Sequence, residues 1–320
     1  MTPALQRRLP LLTTGAIFAA LFVAAGLKYE GFLSPSVAVN LFTDNAVLGL
    51  TAVGMTLVIF AGGIDLSVGA VAGFASIFVA TLIERHGVHP APAAAAALAV
   101  GGTLGAGMGA IIHWFRQPAF LITLAGMFLM RGCAFWLNTE SVGINHPLYG
   151  RAADIYWELG PVGLPLAAMI LAGGLLAGGV IGHYTRFGRN LLALGGNEQS
   201  ALLMGLPVGA TKVGAYAFSG FCAAAAGLVG TLYTGSGNPS TGIGLELDAI
   251  AVVVIGGTVL TGGRGHLLGT LFGLLIFGTI QSVLLFDGRL SPWWSRIVVG
   301  ALLLAFILLQ RFLLTRLSRR

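Results

Sequence analysis

YTRFGRNLLALGGNEQSALLMGLPVGATK, residues 184–212, is the only long polar interval that lies between strongly apolar segments and ends in basic residues. Nearly everything on either side could sit in lipid. An aqueous loop in an otherwise membrane-buried chain is where a soluble partner would grip it. The reading of this stretch therefore decides the rest: a membrane helix bundle with one large handle in water, driven by another protein.

Composition agrees. Of 320 residues, 56% are hydrophobic and only 9% charged, and the mean hydropathy is +0.91. Soluble domains carry roughly 25% charged residues. A surface this poor in charge needs a bilayer as solvent. The 49 glycines follow no Gly-X-Y period, so they point to close helix packing and not to collagen. The net charge of +6 and pI near 9.8 could suggest nucleic acid in a soluble protein. Here the basic residues flank apolar spans, and positive-inside anchoring explains them more simply. Cys133 and Cys222 lie within apolar spans and read as small buried hydrophobes. No zinc or disulfide spacing is present.

Apolar windows fall at about 9–27, 43–62, 66–83, 92–114, 118–138, 163–183, 213–235, 248–262, 265–286 and 293–311. Most approach the ~20 residues that a membrane helix needs. The expected fold is therefore all-α: one polytopic domain over 1–320 with about ten transmembrane segments. The second and third windows are separated only by Gly62-Gly63-Ile64-Asp65, and the eighth is short, so broken or re-entrant segments are expected there. Arg7 and Arg8 followed by an uncharged run resemble a signal peptide, but the run is long enough to span, and it reads as a retained first helix.

Orientation follows from Lys and Arg. With the N-terminus inside, Arg7, Arg8, Arg116, Arg186, Arg189, Lys212, Arg264, Arg311, Arg316, Arg319 and Arg320 are cytoplasmic, eleven of seventeen. This predicts both termini inside, the 184–212 loop in the cytoplasm and the polar 139–162 loop outside. A short interfacial helix is expected around Asp154–Leu159. Small residues recur every fourth position at Gly101, Gly105, Gly109; Gly174, Gly178, Gly182; and Gly265, Gly269, Gly273. Such stripes let helix backbones approach closely.

Three motifs carry the chemistry. In GGIDLSVG, 62–69, Asp65 lies between apolar runs, where a carboxylate costs about 2.5–3.5 kcal/mol on insertion scales. It could cap the helix starting near Leu66, or serve the solute path or gate, or both. In the long loop, Gly195-Gly196 is expected to separate two short helices, with Asn197 capping the second and Met204-Gly205 ending it. The loop is either ordinarily solvated or an amphipathic element that fits a partner's groove. In GLELDAI, 244–250, two carboxylates precede a short apolar span and read as capping or pore-mouth polarity. Gly262-Gly263-Arg264-Gly265 reads as a tight turn. There is no phosphate-binding GxxxxGK[ST] loop, HExxH or GxSxG, so neither ATP hydrolysis nor another enzymatic activity is expected of this chain. The scattered histidines give no metal site, and no cofactor is expected in this chain.

GGIDLSVG at 62–69, TRFGRN with ALGGNEQSALLMG at 185–205, and IGGTVLTGGRG at 255–265 occur in that order. With them the chain resembles the sugar permeases of ribose-type ATP-binding-cassette importers, a group shared with branched-chain amino acid permeases. The resemblance runs from about residue 9 to 312. A narrower one, to the permeases of bacterial galactofuranose importers, is carried by TDNAVLGLTAVGMT at 43–56, PAFLITLAGMFLMRG at 118–132, INHPLYG at 144–150, GLELDAIA at 244–251 and FDGRLSPWW at 286–294. Arg189 and Arg264 stand where close relatives vary.

The resemblance implies a permease in the bacterial inner membrane. It implies a separate ATPase subunit holding ATP-Mg, a periplasmic sugar-binding protein, and a second permease, sister or identical. The coupling segment would be Arg186 to Gly205, with Arg186, Gly188, Arg189, Gly195, Gly196, Asn197, Glu198 and Gly205 as its residues. The solute, once released, must leave, so pathway groups should be weak hydrogen-bonders; Asn45, Thr51, Asp65, Ser67 and Thr123 are the candidates. The rivals are a self-driven secondary transporter, which needs ionisable groups inside its spans, and an intramembrane enzyme, which lacks a catalytic set.

Overall fold

The computed structural model describes residues 3–159, 162–288 and 293–318. Gly160 and Pro161 of the polar loop, Arg289–Pro292 of the FDGRLSPWW stretch, and Arg319 and Arg320 of the orientation count lie outside the described residues. Helices run α1 Pro3–Lys28, α2 Pro35–Thr43, α3 Ala46–Phe60, α4 Val68–His86, α5 Pro90–Trp114, α6 Ala119–Leu137, α7 Pro147–Ala153, α8 Leu166–Gly179, α9 Arg186–Gly196, α10 Glu198–Leu203, α11 Val208–Thr234, α12 Leu245–Ile255, α13 Leu267–Asp287 and α14 Trp293–Ser318. A π turn, Val180–Tyr184, extends α8. Two short antiparallel pairs complete the described chain. One joins β1 Val142–Gly143 to β4 Ser236–Gly237, and the other is a hairpin of β2 Tyr156–Leu159 with β3 Val162–Pro165.

Each of the ten apolar windows overlaps a helix, although the sixth begins in β3 and the eighth is helical only as far as Ile255. Seven helices are long and apolar enough to cross a membrane, and an eighth crossing forms if α2 and α3 count as one span bent by 57°. The protein is thus a multi-pass membrane protein. The bend lies at Asp44-Asn45. There the Asn45 amide donates to the Leu41 carbonyl at 2.9 Å, satisfying one of the orphan acceptors that a helix end exposes.

α3 is buried along its whole length apart from Val47, and α12, although only 11 residues long, has fully buried Val252, Val253, Val254 and Ile255. These two helices form the centre. α1, α5, α6 and α8 surround them and turn apolar side chains outward, such as Phe120, Leu121, Phe128, Leu129 and Leu176. In water such a surface would aggregate; in hydrocarbon it is solvated.

The glycine stripes are the seams. A Cβ on Gly101 or Gly105 of α5 would overlap backbone carbonyls of α11, those of Gly220 and Tyr216, and one on Gly109 would lie 2.9 Å from the Val213 Cα. Gly269 and Gly273 of α13 pack in the same way on Gly256 and Val252, while Gly174, Gly178 and Gly182 face Leu50, Val53 and Leu57 of α3. Gly105→Ala should therefore destabilise the chain by about 1–3 kcal/mol through overpacking. Gly107, exposed on the same helix with nothing within 4 Å of its added methyl, gives the opposite sign. Gly107→Ala should be neutral or stabilising by up to about 1 kcal/mol, from helix propensity alone. Thermal unfolding in detergent reads both.

One local expectation is corrected. The helix in the polar 139–162 segment is not at Asp154–Leu159 but at Pro147–Ala153. Proline at its first position is pre-set for a helix start, and the His146 Nδ1 accepts from the Leu148 N–H at 3.2 Å. Residues 156–159 instead form a hairpin strand, as the adjacent Tyr156 and Trp157 favour.

Candidate functional site

The long polar loop folds into two helices against the bundle. Thr185 caps α9 by accepting from the Gly188 N–H at 3.2 Å, and Asn197 caps α10 by accepting from the Ser200 N–H at 2.8 Å. Gly205, at φ +75°, ends the unit. Gly195 and Gly196 do not separate the helices as expected but form the last turn of α9, and Asn197 alone makes the break. Leu191, Leu194 and Ala201 face inward. Arg186, Arg189, Gly196, Asn197 and Glu198 are exposed, together with Leu202, Leu203 and Met204. Leu203 is 88% exposed, so α10 presents an apolar ridge beside charged groups. Glu198 pairs with Lys212 at 2.7 Å.

The three sequence motifs meet at one point. A Cβ on Gly195 would overlap the Phe60 carbonyl oxygen and lie 2.5 Å from the Gly263 nitrogen. One on Gly262 would lie 2.6 Å from the Gly62 nitrogen and 2.9 Å from the Gly195 Cα. The Gly263 N–H donates to the Phe60 carbonyl at 3.1 Å. So the end of α9, the α3–α4 break and the α12–α13 turn touch through backbone alone. Only glycine permits this at Gly62 and Gly262, which also hold φ of +77° and +82°. Gly195, Gly196, Thr261, Gly262, Gly263 and Arg264 line a hollow at this junction.

The break leads to Asp65, which is fully buried. Its Oδ1 accepts from the Ser67 N–H at 2.9 Å and the Ser67 hydroxyl at 2.6 Å. Its Oδ2 accepts from the Ser219 hydroxyl of α11 at 2.8 Å. The Thr123 hydroxyl of α6 lies 3.3 Å from the Ile64 carbonyl, although the Ala119 carbonyl, at 2.9 Å, is its nearer acceptor. The carboxylate thus fastens the turn before α4 and ties it to α11. Hydrogen bonds to a charged group contribute about 1.5–3 kcal/mol each, enough to offset its insertion cost.

Of the five pathway candidates, the structure gathers Asp65, Ser67 and Thr123 around the break. Asn45 and Thr51 stand apart, toward the other end of α3. Thr51 donates to the Leu48 carbonyl at 2.8 Å, and Asn45 serves the α2–α3 bend. Glu246 and Asp248 sit in the first turn of α12, where carboxylates suit the helix dipole. Nearby, Arg131 of α6 donates to the Pro239 and Thr241 carbonyls at 2.6 and 2.8 Å. Sequence reasoning missed Ser219. A serine in an apolar span carries no signal for a partner 154 residues away.

A bundle of apolar helices sealed by glycine seams, with α9 packed on its central break, is the architecture of a multi-pass membrane transport protein. A profile of the branched-chain amino acid transport system permease component matches residues 37–307, and the chain belongs to that family. It is similar to the inner membrane ABC transporter permease protein YjfF of Escherichia coli (strain K12), 46% identical over 96% of this chain and 93% of that protein. It is similar to the ribose import permease protein RbsC of the same organism, 38% identical over 85% and 84%. It is also similar to the fructose import permease protein FruG of Bifidobacterium longum (strain NCC 2705), 34% identical over 96% and 92%. No solved structure matches the chain. The chain is a permease subunit and not itself a catalyst.

Proposed function

We propose that this chain is the translocating subunit of an ATP-binding-cassette sugar importer in a bacterial inner membrane. Relatives named as ribose and fructose import permeases support a monosaccharide cargo. The galactofuranose-type motifs favour that sugar over a pentose. The observation that carries the reading is the backbone contact between the α9 end and the α3–α4 break. It gives an external motor a rigid route into the centre of the bundle.

The working cycle is alternating access. A sugar-loaded periplasmic binding protein docks outside, near the 139–162 segment. ATP-Mg binding closes the ATPase subunit against the ridge of α9 and α10. The push passes through Gly195 to the break, and the bundle, paired with a second permease, reopens inward around the Asp65, Ser67 and Thr123 region. The Lys and Arg distribution supports a topology with both termini and α9–α10 on the cytoplasmic side.

Two measurements test this. Proteoliposomes holding the complete importer should take up one of D-galactose, D-ribose or D-fructose only with ATP and the ATPase present. Uptake driven by an ion gradient with the chain alone would establish the secondary transporter instead. In a background with Cys133 and Cys222 replaced by alanine, Gly196→Cys should react with a membrane-impermeant maleimide in inverted vesicles and not in intact spheroplasts. The reverse pattern overturns the orientation.

A further inference from the structure

His183 and His266 stack face to face, ring centroids 4.0 Å apart and planes within 18°, beside the edge of Phe60 at the end of α3. Both accept hydrogen bonds from the first turn of α13. The His183 Nε2 accepts from the Leu267 N–H at 3.0 Å, and the His266 Nδ1 accepts from the Leu268 N–H at 3.1 Å. Two of the orphan donors of one helix end are thus held by imidazoles, each unprotonated at the accepting nitrogen. His266 is local to α13; His183 comes from the π turn that ends α8. A π turn is rare and re-aims side chains, which is how His183 reaches across to another helix.

The same π turn is locked to α9. The Thr185 hydroxyl donates to the Ile181 carbonyl at 2.6 Å and accepts from the Gly188 N–H. A Cβ on Gly188 would overlap the Gly182 carbonyl, so α9 rests directly on the turn's backbone. Displacement of α9 must carry the π turn with it, and His183 then pulls on the buried start of α13.

We propose that His183, steadied by His266, is a positioning residue that delivers the motion of the coupling segment to α13, a second strut beside the glycine junction. This rests on the ATP-driven importer reading. The strut needs an acceptor at His183 and at His266; the stack only steadies it.

The test uses the complete importer in proteoliposomes and reads sugar taken up per ATP hydrolysed, with the sugar found among D-galactose, D-ribose and D-fructose. His183→Phe keeps a ring against Phe60 and His266 but lacks the acceptor, leaving the buried Leu267 N–H unpaired, and should lower this ratio about 10-fold. His183→Gln, which restores an acceptor, should return it to within about 3-fold of wild type. His266→Asn keeps a helix cap and should stay near wild type, whereas His266→Ala should lower the ratio a few-fold, on the order of a lost cap. Copurification of the ATPase reports assembly. An unchanged ratio in His183→Phe overturns the proposal. So does a fall of uptake, ATP hydrolysis and assembly in parallel across His183→Phe and His183→Gln, because that marks a merely structural role. If wild-type uptake does not require ATP, the importer reading itself fails, whatever the histidine variants do.

Discussion

In the proposed importer, Gly195→Leu is expected to lower ATP-driven uptake by on the order of 100-fold while the chain still inserts and still recruits the ATPase. The leucine side chain would have to occupy the space of the Phe60 carbonyl and the Gly263 nitrogen. These are backbone atoms of two other segments, and they cannot rotate away. Overpacking at a rigid contact costs roughly 1–3 kcal/mol, and relief comes by lifting α9 off the break. A population shift of that size is about 5- to 150-fold in the docked arrangement, and the upper end applies where both neighbours are main chain.

Gly196 provides the control. It is exposed, and nothing lies within 4 Å of an added methyl group, so Gly196→Ala should leave the junction intact. Glu198→Lys acts by a different route. It removes the 2.7 Å pair with Lys212 and sets two cations together. The Glu198 side chain is about half exposed, and such pairs contribute at most about 1 kcal/mol, so uptake should fall only a few-fold unless the ATPase itself reads that charge. The decisive readout is uptake against ATP hydrolysis in the same vesicles. If Gly195→Leu transports normally, the glycine junction is packing and not a transmission point.

How much of this was legible beforehand follows from the range of each interaction. The long spans were legible because each carries its own apolar signal, but the short helices α2 and α7 were not. The cap and the end of α10 were legible because Asn197 and Gly205 act on neighbours within a few residues, whereas the Thr185 cap of α9 was not read from the sequence. The tight turn at Gly262-Gly263 was legible for the same reason. The meeting of Gly62, Gly195 and Gly262 was not, since a glycine that admits a distant backbone looks like one that merely bends its own. Ser219 and His183 were silent alike, because their partners Asp65 and Leu267 lie on other helices. The hairpin at 156–165 carries little local signal, because its pairing joins Tyr156–Leu159 to Val162–Pro165 across strands of only four residues each.

Asp65 separates two accounts of the whole molecule. Asp65→Leu should be severe. It leaves the Ser67 N–H, the Ser67 hydroxyl and the Ser219 hydroxyl without their acceptor in a fully buried place. At about 1–3 kcal/mol for each unsatisfied group, the loss is of the same order as the ~5–15 kcal/mol stability of a typical protein. The expected result is little folded protein, seen as low yield and a broad, low thermal transition. Asp65→Asn is the informative partner. Its amide oxygen can still accept from both Ser67 groups, and its NH2 can donate to the Ser219 hydroxyl oxygen, so all three links survive in altered polarity. The change also removes a charge whose burial costs about 2.5–3.5 kcal/mol on insertion scales. If Asp65 is a staple between α4 and α11, Asp65→Asn keeps ATP-driven uptake within a few-fold of wild type. If Asp65 carries a proton or an ion through the membrane, an amide cannot replace it, and uptake vanishes while the protein stays folded. The staple geometry, with every polar contact directed at the chain's own backbone and hydroxyls, favours the first outcome.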